Sequence, residues 1–120
     1  MAQICTTKEQ SKRLLDIGIK AETADMFWPI ESSFPEVCDQ GDNLQANYPS
    51  WSLGALIKLL PDKIKEDRFG FNYYLTIEKD GIKYSNRMED EENEYECYGE
   101  LIDSCVDMID TLVAEGYIKV

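Results

Sequence analysis

From Phe69 to Ile77 every second residue is aromatic or aliphatic, and after Asp80-Gly81 the alternation resumes through Ile82, Tyr84 and Met88. A period of two belongs to a strand with one buried face. Asp-Gly between two such runs is a strong short-range hairpin signal. Taking Asp80 and Gly81 as the two loop residues of a type I′ turn pairs Lys79 with Ile82, Ile77 with Tyr84, Leu75 with Asn86 and Tyr73 with Met88. The larger hydrophobic residues then share one face, while Glu78 faces Lys83 and Tyr74 faces Arg87 on the other. A hairpin with one apolar face is marginal in water until something covers that face.

The remaining pattern supplies helices as the cover. Leu101, Ile102, Cys105, Val106, Ile109, Leu112 and Val113 form one apolar stripe at helical spacing, and Gly116 suits the helix end. Thr6-Thr7-Lys8-Glu9-Gln10 contains two overlapping capping boxes that start a helix, and Gly18 followed by Ile19 matches its C-terminus. Ser50 or Ser52 caps a second helix carrying Leu53, Leu56, Ile57 and Leu60, which Pro61 ends. Gly54 inside that helix is expected to allow close packing, because glycine there otherwise costs up to about 1 kcal/mol relative to alanine.

Ala24 to Trp28 reads as a short strand stopped by Pro29, and residues 31–49 read as one long loop. The acidic run from Glu89 to Glu96 is either a connector or the first turn of the last helix, and Tyr117–Val120 could add a short strand. The expected fold is α+β, a single domain over 1–120. It has a small antiparallel sheet, the hairpin plus one or two short strands, covered on one face by three helices.

Charge narrows the partners. The 120 residues carry 24 acidic and 12 basic side chains, a formal charge of −12, which repels nucleic-acid phosphates and anionic membranes. Direct nucleic-acid binding is therefore not expected, and a basic protein is the expected partner. No apolar run reaches membrane-spanning length, and the first residues lack a basic, hydrophobic leader, so the expected location is the cytoplasm. There the cysteines Cys5, Cys38, Cys97 and Cys105 stay reduced, with Cys5 or Cys38 accessible and Cys105 in the core stripe.

Catalytic chemistry finds little footing. Histidine is absent, carboxylates are too numerous for any one pair to stand out, and Gly81 is accounted for by the hairpin rather than by a phosphate cradle. Asp90, Glu92 and Glu94 alternate as early calcium ligands do, but Tyr95 stands where the loop glycine belongs and Leu101 where the bidentate Glu belongs. The chain is expected to have no cofactor, no metal and no enzymatic activity.

Two places are candidates for binding. Glu96, Glu100, Asp103, Asp107 and Asp110 recur at spacings of four, three, four and three, one acidic stripe opposite the apolar one. Such a row costs helix stability through like-charge repulsion and, toward the C-terminus, through the macrodipole. It is either a solvated face or a docking surface for a basic partner. Trp28 and Trp51 flank the long loop, and that pair is the candidate for a small-ligand pocket, against the plainer reading of Trp51 as a core plug.

TTKEQSKRLLDIGIKAETADM at 6–26, PSWSLGALIKLLP at 49–61, YYL at 73–75 and LIDSCVDMI at 101–109 resemble, in that order, a family of small proteins encoded by gut Bacteroidales and their phages and mobile elements. In that family the position of Ser50 is often Ala and that of Gly54 often Ser. The resemblance covers most of the chain outside 31–48 and the acidic run, and it implies no activity and no catalytic residue.

Overall fold

The computed structural model describes residues 4–28, 36–37, 48–65, 72–85 and 93–120. Helix α1 spans Lys8–Asp16, α2 Leu53–Leu59 and α3 Leu101–Ala114. The strands are β1 Met26–Trp28, β2 Glu36–Val37, β3 Tyr48–Ser50, β4 Lys63–Lys65, β5 Asn72–Glu78, β6 Gly81–Ser85 and β7 Asn93–Tyr98. The fold is α+β, but the strands divide into two antiparallel sheets instead of one: β2-β1-β3, and the meander β4-β5-β6-β7. The stretch 31–49 is accordingly not a single loop, since β2 and the start of β3 fall inside it.

The helix ends follow the capping chemistry. Thr7 is the N-cap of α1, its hydroxyl accepting from Gln10 N–H at 3.1 Å while its own N–H donates to Gln10 Oε1 at 2.9 Å. At the other end Gly18 takes φ 104°, Gly18 N–H donates to Leu15 C=O and Ile19 N–H to Leu14 C=O. That is the paired Schellman closure, and it buries Ile19. Ser52 caps α2 by accepting from Ala55 N–H, and Asp25 holds Ser52 in turn through the Ser52 N–H and hydroxyl.

Gly54 is exposed, and an added Cβ would meet only the Ser52 hydroxyl, at 3.8 Å. It therefore does not mediate close packing. Gly54→Ala is expected to raise stability by about 0.5–1 kcal/mol through helix propensity, read as a shift in the urea midpoint.

In the hairpin the structure corrects the expected register. The turn residues are Lys79 and Asp80, with Glu78 opposite Gly81, Ile77 opposite Ile82, Leu75 opposite Tyr84 and Tyr74 opposite Ser85. The shift is two residues, an even number, so the predicted apolar face survives and Tyr73, Leu75, Ile82 and Tyr84 still point the same way. No described non-glycine residue has positive φ, and neither does Gly81, so the turn is not type I′. Gly81 is needed for a different reason. A Cβ there would overlap the carbonyl oxygen of Cys97 on β7 and stand 3.1 Å from Tyr98 Cα. Asn86, Arg87 and Met88 lie outside the described residues.

Two further strands escaped the sequence reading. In β4 only Ile64 is buried, between exposed Lys63 and Lys65, opposite Tyr73 of β5. In β7 the end of the acidic run pairs with β6, placing Tyr95 and Cys97 on the inner face. The tail Tyr117–Val120 forms no strand; Tyr117 packs edge-on against Tyr95, ring centroids 6.1 Å apart.

One cluster of buried side chains joins these parts: Leu14 of α1, Trp51, Leu56 of α2, Tyr84 of β6, and Cys105, Met108, Ile109 and Leu112 of α3. Helix α3 lies against β6 and β7 and takes α2 on its flank, while α1 lies between β3 and α3. The three-stranded sheet is tied to α1 by a buried hydroxyl network. Ser50 Oγ donates to Thr6 C=O at 2.9 Å, which uses its one proton. Thr6 Oγ1, 3.1 Å from Ser50 Oγ and 2.8 Å from Ser11 Oγ, then donates to Ser50 and accepts from Ser11, and it accepts also from Trp51 N–H at 3.0 Å. Thr6, Ser11 and Ser50 are all fully buried.

Candidate functional site

The acidic residues singled out in the sequence separate into three situations. Glu96 is not on α3. It sits in β7 opposite Lys83, on the strand face away from Cys97, and accepts from Tyr98 Oη at 2.8 Å. That hydrogen bond raises the Tyr98 pKa, because ionising the phenol would set two anions side by side. The signal that could have placed Glu96 was present: Glu94-Tyr95-Glu96-Cys97 alternates with period two, and Gly99, at φ 116°, separates the strand from the helix. Glu100 is the N-cap residue of α3, exposed and making no side-chain cap bond.

Asp103, Asp107 and Asp110 do share one face of α3, and that face meets α1. Gln10 Nε2 donates to Asp103 Oδ1. The same amide's oxygen closes the α1 capping box, so capping turns its NH2 group toward α3. One turn on, Arg13 Nη1 donates to Asp107 Oδ1 at 2.8 Å, and Arg13 Nε and Nη2 donate to Asp110 Oδ2 at 2.9 and 2.7 Å. The contacts advance in the same direction along both helices.

This grip answers the electrostatic cost of the row. Asp107 and Asp110 repel one another at i, i+3 and lie toward the negative end of the α3 dipole; a guanidinium between them offsets both effects. The two carboxylates also raise the Arg13 pKa, chiefly through their hydrogen bonds to it. The pairs remain wet, with 44% of the Arg13 side chain and 52% and 34% of those of Asp107 and Asp110 exposed. Each is therefore worth at most about 1 kcal/mol of stability. The row is neither a bare solvated face nor an empty groove: it holds an arginine of its own chain.

The two tryptophans named as pocket candidates sit in different environments. Trp51 is fully buried in the core with its indole N–H on Thr23 Oγ1 at 2.9 Å. Trp28, opposite Tyr48 in the three-stranded sheet, donates its indole N–H to Thr6 C=O at 2.9 Å, and Lys8 Nζ stands 5.7 Å from its ring centroid. Trp51 plugs the core, and Trp28 is half-buried at the end of β1, the central strand of its sheet.

Burial governs the thiols. Burial is the largest cause raising the pKa of the Cys5, Cys97 and Cys105 thiols, that of Cys105 to about 11. The expectation that Cys5 is accessible is corrected, since Cys5 is 3% exposed beside Ser52; Cys38 lies outside the described residues. At pH 8 the Cys105 thiol is held in its protonated, unreactive form. Native alkylation at pH 8 is therefore expected to leave Cys5 and Cys105 unlabelled while the fold persists, with peptide mass mapping as the readout. Rapid labelling of Cys105 without denaturant would contradict its position in the core.

Among the described residues no three carboxylates or thiols are placed to hold a metal ion, and no helix is long and apolar enough to cross a membrane. No family model, curated protein or solved structure matches the chain.

Proposed function

We propose that this chain is a non-catalytic interaction protein whose acidic surface, centred on Glu100, Asp103, Asp107 and Asp110 of α3, binds an arginine-presenting segment of a basic protein. The observation that supports this reading most is Arg13. The spacing of Asp107 and Asp110 grips a guanidinium with three hydrogen bonds of 2.7–2.9 Å. A row that accepts its own arginine in this way has the chemistry to accept another, because planar guanidinium recognition by paired carboxylates depends on geometry as well as charge. The formal charge of −12 adds long-range steering toward a basic partner. The family resemblance suggests the setting, an accessory factor of a phage or mobile element acting on a basic host or phage protein.

The test is affinity capture from bacterial host lysate at low and at raised salt, followed by binding measurements on the purified captured protein. The expected outcome is a basic partner whose affinity falls steeply as ionic strength passes about 0.15 M, where the Debye length is about 8 Å. A partner that binds equally well at all salt concentrations would count against the reading.

A further inference from the structure

We draw no further inference here: the strongest candidate, the open concavity that Lys79, Asp80, Gly99 and Glu100 line beside the uncapped N-terminus of α3, sets two carboxylates against one ammonium and has, among the described residues, no second feature aimed into it, because the unpartnered Ser104 hydroxyl one turn along the helix is fully buried.

Discussion

Gly81→Ala is expected to cost about 3 kcal/mol, at the upper end of what overpacking usually costs, because the clash is between two backbones. The added Cβ overlaps the Cys97 carbonyl, and Tyr98 Cα stands 3.1 Å away, so no side chain can swing aside to relieve it. Strand β7 would have to move off β6, and α3, which lies against both, would lose part of its seat. Gly81→Asn separates this explanation from the turn chemistry suggested by Asp-Gly. If Gly81 were there for a type I′ turn, asparagine, which tolerates positive φ, would be nearly neutral. Steric exclusion by β7 instead predicts a loss at least as large as for alanine. Urea midpoints of the two variants decide it, and an Asn variant within about 0.5 kcal/mol of the unmodified chain would restore the turn explanation.

Thr6→Val is expected to be similarly damaging for the opposite reason, since it changes shape hardly at all. Valine leaves the Ser11 hydroxyl and the Trp51 N–H without the acceptor they share in Thr6 Oγ1, and both are fully buried. Stranding a buried donor costs about 1–3 kcal/mol, so the sum is about 3 kcal/mol, with no cavity contributing. Thr6→Ser keeps the hydroxyl and should lose only about 1 kcal/mol for the missing methyl group. Equal stability of the Val and Ser variants in urea unfolding would mean that the network does not hold β3 and α1 together.

What the sequence made legible follows from whether a signal is local. The ends of α1, the Ser52 cap and the apolar stripe of α3 depend on residues within one or two turns of each other, and those expectations agree with the structure. The hairpin faces were legible too, because alternation sets them whatever the turn. The turn was not, since the reason for Gly81 lies in Cys97 and Tyr98, sixteen residues or more away along the chain. β4 was hidden by its length, one buried residue between two lysines. β7 was hidden by charge, its glutamates reading as the start of an acidic helix.

The acidic row shows the same limit. Its spacing along α3 was visible from Glu100 to Asp110, but that Gln10 and Arg13 of α1 occupy it depends on tertiary packing across more than ninety residues. Capping told where α1 begins and nothing about which face it presents to α3.

Because Arg13 occupies the row, removing it is the most direct test of the proposed function. Arg13→Ala should cost at most about 2 kcal/mol, for two exposed pairs of up to about 1 kcal/mol each, and leave the chain folded, while freeing Asp107 and Asp110 for a partner's guanidinium. Binding of the captured basic partner is expected to tighten about three- to tenfold at low salt, up to about 1.4 kcal/mol, and the gain should vanish as salt rises. Replacing Asp107 and Asp110 by Asn in the Arg13→Ala background should abolish the gain. An Arg13→Ala protein that is folded yet binds the partner with unchanged or weaker affinity would contradict the claim that this row is where the partner docks.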